Sequence, residues 1–138
     1  MAITPYRKYL HVDCWGVTTA RADDLLRLHQ LVTVVARKTL LQEVDRAQEW
    51  FQPYGVTIAF IGQEGEIVLR TAPTEGYVGI SLSVGHAVAW GSVVKLIQDS
   101  LSAVKVVQTS REFGSPPREP VSTERGEASA HVVSRGAD

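Results

Sequence analysis

Two groups of side chains in this sequence are equipped for chemistry. Glu64, Glu66 and Arg70 lie at and just beyond the turn between two apolar runs, and His11, Asp13 and Trp15 alternate along an earlier one. If Glu66 and Arg70 belong to one strand they share a face, roughly 13 Å apart along it, so they meet only across another strand or a ligand. An arginine there can hold a carboxylate or phosphate, and a glutamate can act as acid or base. A charged hairpin tip is equally the ordinary look of a solvated turn. His11 and Asp13 can form an oriented base or, with His86, part of a metal site, but neither spacing is diagnostic and no metal is assigned. Tyr77, Trp50, Tyr54 and Trp90 offer flat rings for a planar ligand, or for a core or an interface. Cys14 alternates with Leu10 and Val12, away from His11, which predicts a buried and unreactive thiol. The sequence contains no Gly-rich phosphate loop, hydrolase elbow, repeat or zinc-like Cys/His spacing.

The elements that must position these groups follow from periodicity. Tyr9 to Trp15 alternates as a first strand, whose His11/Asp13/Trp15 face either lines a pocket or meets solvent. Thr18 to Asp24 supplies capping residues, and Leu25, Leu28, Leu31, Val32 and Val35 continue as the stripe of a helix to about Arg37. Lys38 to Phe51 has helical spacing and good helix formers, so local propensity favours helix there. Val56 to Gly62, the turn Gln63-Glu64-Gly65 and Glu66 to Ala72 read as a hairpin. Pro73 stops the second strand, Thr74-Glu75-Gly76 turns the chain, and Tyr77 to Val84 alternates as a third strand. Ala87 to Ala103 is predicted helical, with Trp90, Val93, Val94, Ile97 and Leu101 on one face, and Val104 to Thr109 is the last strand. The sequence from Gly114 is rich in Pro, Ser, Gly and charge, which predicts a disordered tail after a domain ending at residue 113.

The central block resembles the prokaryotic S-adenosylmethionine decarboxylases. The resemblance rests on Phe51, Pro53, Gly55, Val56, Thr57, Glu64, Thr71, Pro73, Gly76 and Tyr77, with Tyr9 to Gly16 upstream, and spans roughly Tyr6 to Gly114. It implies a strand over much of Gln42 to Gln52, an acidic residue near the ligand pocket at Asp13, and a homodimer covering the second sheet face. It also implies a serine after the glutamate that cleaves its own peptide bond and becomes a pyruvoyl group. Here that residue is Gly65, the family's processing histidine aligns with Arg70, and its proton-donating cysteine falls at Val84 or Gly85. Glycine has no oxygen to start the cleavage, and a guanidinium is no neutral base. The expectation is an uncleaved chain with no pyruvoyl cofactor.

With 138 residues, 44% hydrophobic, the chain makes one domain with one core. A formal net charge of -1 gives no field that would favour nucleic acid or an anionic membrane. No signal-peptide core or membrane-length apolar run is present, and one cysteine fits a reducing cytoplasm. The expected architecture is an α/β (α+β) two-layer sandwich, a mostly antiparallel sheet with two helices on one face. Two functions follow from the resemblance and its departures: a repurposed enzyme acting on a small-molecule ligand by acid–base chemistry, or a non-catalytic protein that binds S-adenosylmethionine or pairs with an active decarboxylase. In the first, Glu64, Glu66 and Arg70 are catalytic, and His11, Asp13, Trp15 and Tyr77 bind the ligand.

Overall fold

The computed structural model describes residues 5–51 and 55–115. Six strands form one antiparallel sheet in the order β2-β3-β4-β5-β1-β6. The strands are β1 (Arg7–Trp15), β2 (Glu43–Phe51), β3 (Gly55–Gly62), β4 (Gly65–Ala72), β5 (Tyr77–Val84) and β6 (Lys105–Phe113). The helices are α1 (Thr19–Ala22), α2 (Leu25–Lys38) and α3 (Trp90–Leu101), and a 3-10 turn spans Pro73–Glu75.

The core lies between the helices and one face of the sheet. Leu28, Leu31, Val32 and Val35 of α2 and Val93, Ile97 and Leu101 of α3 are buried on alternate residues of the strands, among them Leu10, Val12, Ile58, Phe60, Leu69 and Ile80. Each such aliphatic or aromatic side chain contributes about 1.5–3 kcal/mol on leaving water. Cys14 belongs to this layer, fully buried, and burial with the neighbouring charge of Asp13 pushes its thiol up to about 12. The expected two-layer architecture is therefore the observed one.

Three boundaries differ from the sequence expectation, and the segment left between helix and strand resolves as the resemblance implies. The first helix is divided: Thr18 caps α1 and Asp24 caps α2, each accepting from a backbone N–H three residues on. The segment from Lys38 to Phe51 becomes strand β2 from Glu43 on, as the resemblance implies and against local propensity. Arg46 ties it to α2, donating to Thr33 Oγ1 at 2.8 Å and to the His29 carbonyl at 3.2 Å while pairing with Glu43 at 2.9 Å. α3 starts at Trp90 and not Ala87, and β6 runs on past Thr109 to Phe113, where its ring meets Tyr9 edge-on at 5.2 Å. The expected tail lies, from residue 116, outside the described residues.

α2 ends without a glycine. Leu40 takes the left-handed conformation at φ 61°, its N–H bonding the Arg37 carbonyl at 3.1 Å while Leu41 N–H reaches the Ala36 carbonyl at 2.8 Å. This is a Schellman ending with a leucine at the position that favours glycine. Since Leu40 is 76% exposed, little packing is lost by removing its side chain. Leu40→Gly is expected to raise stability by about 1 kcal/mol, read as a higher urea midpoint with unchanged slope.

Candidate active site on the open sheet face

Strand alternation sends the other half of the sheet's side chains to the face opposite the helices. Across β1 and β5 the register pairs His11 with Ser81, Asp13 with Gly79 and Trp15 with Tyr77. Across β5 and β4 it pairs Ser81 with Val68, Gly79 with Arg70 and Ser83 with Glu66. Most of the candidate residues thus share one face, on three adjacent strands.

They form a hydrogen-bonded chain. His11 Nδ1 lies 2.8 Å from Ser81 Oγ, and His11 Nε2 lies 2.7 Å from Asp13 Oδ1. The Tyr77 hydroxyl donates to the same Asp13 oxygen at 2.6 Å. An aspartate carboxylate only accepts, so a neutral His11 carries its proton on Nε2 and leaves Nδ1 as the acceptor for Ser81. Burial, the bond to Asp13 and the Asp13 charge all push the Tyr77 phenol above its ordinary range, with Arg70 opposing. Tyr77 also packs on Trp15, ring centroids 4.8 Å apart and tilted by 51°. Its ring crosses Gly79, where a side chain would collide with the phenol oxygen. Gly79 is thus what lets a tyrosine at position 77 reach Asp13.

Arg70 and Glu66 stand on the same face, both on β4, the strand beside β5. Arg70 is exposed, and neither it nor Glu66 has a side-chain hydrogen bond or ion pair among the described residues. Glu64 is elsewhere. It occupies the hairpin tip at φ 65°, accepts a bond from Arg7 Nη1 at its carbonyl (2.9 Å), and lines a separate pocket of about 430 Å³ with Leu40, Leu41 and His86. His86 bonds the Thr39 carbonyl at 2.6 Å and so is not a partner of His11. Among the described residues no cluster of three or more His, Cys, Asp or Glu is placed to hold a metal ion. Trp50 is half exposed on β2, Trp90 lies 5.9 Å below the Lys8 ammonium, and Tyr54 is outside the described residues.

Ser81 is the member of the chain that sequence reasoning missed. Its signal was present only as parity, since it alternates with Tyr77 on β5; the register that sets it opposite His11, 70 residues away, is a tertiary fact. Ser83, two residues on, is 2% exposed and its hydroxyl has no hydrogen-bond partner among the described residues.

Position 65 closes the geometry at the other end of β4. Gly65 is buried, and a Cβ built there would lie 2.6 Å from the Ser83 carbonyl oxygen and 2.7 Å from Leu41 Cδ2. Real Cβ atoms do not approach so closely, so the space a serine side chain would need is filled.

Comparison with known proteins agrees with the fold. Residues 8–112 match the family model described as S-adenosylmethionine decarboxylase. A curated relative, S-adenosylmethionine decarboxylase proenzyme 2 of Bacillus cereus, is 28% identical over 80 residues, which is 58% of this chain and 65% of the relative. The crystal structure of the adenosylmethionine decarboxylase from Aquifex aeolicus superposes with a TM-score of 0.71 at 19% identity, covering 88% of this chain and all of that one. A Trypanosoma brucei AdoMetDC monomer gives 0.56 at 10% identity, covering 75% of this chain and 45% of its own. With the match running through all six strands and the three principal helical segments, the chain belongs to the S-adenosylmethionine decarboxylase family.

Proposed function

We propose that this family member is not a pyruvoyl decarboxylase and that it performs cofactor-free acid–base chemistry on a small molecule bound to the open sheet face. The observation that carries the reading is His11, an imidazole whose Nε2–H is held by Asp13 and whose Nδ1 lone pair accepts from the Ser81 hydroxyl. An imidazole fixed in one tautomer beside a carboxylate is the arrangement a general base requires. Arg70 supplies a cation for an anionic substrate group, Glu66 a second acid or base, and the packed rings of Trp15 and Tyr77 an aromatic wall. Glu64 is left out of this site.

The residues at position 65 do not fit a pyruvoyl group. Glycine offers no oxygen to attack the Glu64 carbonyl, and the ring of contacts from Leu41 and the Ser83 carbonyl leaves no room for one. The purified chain is expected to run undivided at 15.1 kDa in intact-mass spectrometry. A break between Glu64 and Gly65 would sink this half of the proposal. The other half is tested by incubation with small carboxylated metabolites in heavy water: carbon-bound protons of a substrate should exchange with wild-type protein and fail to exchange with His11→Ala. No exchange in any compound that perturbs Trp15 fluorescence counts against a base at this site.

Chemistry of this kind calls for shelter from water, and a second copy of the chain is the proposed cover. Tyr9, Trp15, Ile61 and Phe113 lie on this face and are 42%, 43%, 50% and 40% exposed. No helix of the described residues is long and apolar enough to cross a membrane, and the proposed setting is the cytoplasm. The same exposed rings favour a second reading, a non-catalytic subunit that binds S-adenosylmethionine or pairs with an active decarboxylase. Native mass spectrometry after mixing with an intact family enzyme separates the two: a mixed dimer supports the second reading, and a homodimer alone supports the first.

A further inference from the structure

The order of donors along β1 and β5 permits more than proton transfer by His11. We infer that Ser81 is a nucleophile, activated by His11 and Asp13, and that the site takes an activated acyl compound, an ester or thioester bearing a carboxylate or phosphate. The inference rests on reading the open face as a small-molecule site, and deepens it.

The argument runs from acceptor capacity. Asp13 Oδ1 takes two hydrogen bonds, from His11 Nε2 and from the Tyr77 hydroxyl. Both hold the carboxylate in place and commit the imidazole to the tautomer whose lone pair is on Nδ1. Ser81 Oγ, 2.8 Å from that lone pair, is the donor. Hydroxyl, imidazole and carboxylate thus stand in the relation that activates serine hydrolases, with the two ring nitrogens exchanged. The exchange is a consequence of building the triad on a sheet. His11 and Asp13 are two residues apart on one strand, so the carboxylate sits along β1, while Ser81 faces the ring from the neighbouring strand. Ser81 is half-buried, so its oxygen is neither sealed in the core nor fully solvated. Arg70, across the side-chain-free Gly79, is the cation that would hold the anionic end of the acyl compound.

The step balances without any co-reactant but water. Ser81 Oγ bonds to the acyl carbon as its proton passes to His11 Nδ1. The bond from that carbon to the leaving oxygen or sulfur breaks, and the leaving atom takes the proton back from Nδ1. Water repeats the sequence on the acyl-serine, freeing the carboxylic acid and restoring Ser81.

Diisopropyl fluorophosphate, applied to the full chain, tests the nucleophile directly, because the Ser81 oxygen–phosphorus bond forms as fluoride leaves and His11 takes the proton. One adduct is expected, on Ser81 by peptide mapping, and none in Ser81→Ala. In His11→Ala the labelling rate should fall by roughly 100-fold or more and recover with added imidazole, which a merely structural role of His11 would not allow. An unlabelled Ser81 in the wild-type protein, or a rate unchanged in His11→Ala, overturns the inference. Proton exchange that persists in Ser81→Ala, together with no adduct on the wild-type protein, would leave the acid–base reading standing and remove only the nucleophile.

Discussion

Asp13→Asn should slow labelling of Ser81 by about 100- to 10,000-fold while leaving the fold intact. The asparagine carbonyl can still accept from His11 Nε2 and from the Tyr77 hydroxyl, the two bonds of 2.7 Å and 2.6 Å seen in the native protein. What disappears is the negative charge beside an imidazole that becomes positive when it takes the Ser81 proton, and that charge acts in a partly desolvated place. The same substitution has a second, independent readout. The Tyr77 phenol is held above its ordinary value of 10.0 by burial first, then by its bond to Asp13 and the Asp13 charge. Removing the charge lets Tyr77 ionise at a lower pH, seen as an earlier rise in phenolate absorbance during an alkaline titration. The sign for stability follows from linkage. A phenol raised in the folded state contributes stability that is complete below about pH 10 and lost as pH climbs through the folded value. The wild-type protein therefore weakens in alkali through this group, and Asp13→Asn shows less of that dependence. Equal labelling rates and superimposed titrations in the two proteins would remove Asp13 from the site.

Gly65→Ser is expected to restore the missing hydroxyl and still give an uncleaved, less stable chain. Its Cβ would meet a backbone oxygen, that of Ser83, at 2.6 Å and Leu41 Cδ2 at 2.7 Å. The leucine can turn, but the carbonyl is fixed in the β4–β5 ladder, where Gly65 pairs with Val84. Overpacking of this kind costs about 1–3 kcal/mol, to be read from the urea midpoint. Pairing it with Leu41→Ala relieves the side-chain clash and leaves the backbone one, so the double variant should recover only part of what its own new cavity does not take away. Cleavage of Gly65→Ser into two chains on a denaturing gel would show that position 65 was the whole of the lost chemistry, and that Arg70 in the place of the processing histidine matters little.

The helices, the central meander and the two-layer class were legible because each rests on a short-range rule. Leu28, Val32 and Val35 recur at helical spacing, Pro73 and Gly76 punctuate, and β5 alternates over its full length. Where a long-range contact outvotes the local one, sequence alone fails. β2 is spelled with helix formers, yet Arg46 reaching α2 and eight paired positions against β3 make it a strand. The stop before it carries no glycine because Leu40 bears the strained conformation itself. β6 continues through Ser110 and Arg111 because β1 offers it a full-length partner, not because its own residues demand extension. For the site, parity placed His11, Asp13 and Trp15 together and Glu66 with Arg70, but nothing local could say that β1 would lie beside β5. That register brings in Ser81 and leaves Glu64, at the hairpin tip, to another pocket.

The position of β1 in the sheet sets when this site can come into being. β2, β3, β4 and β5 are neighbours both in sequence and in space, so they can zip together through successive short connections. β1 is made first but enters the sheet between β5 and β6, and its pairings span about 60 to more than 100 residues of chain. Loop-closure entropy must be met before those pairs return anything, which places them late on the folding path. His11 and Asp13 arrive on β1, Ser81 and Tyr77 wait on β5, and no partly folded form lacking that last insertion holds the hydrogen-bonded chain at all. The chemistry proposed for this face therefore waits on the closing of the sheet, and a ligand that bridges β1 and β5 would draw its strongest effect on stability from the same seam.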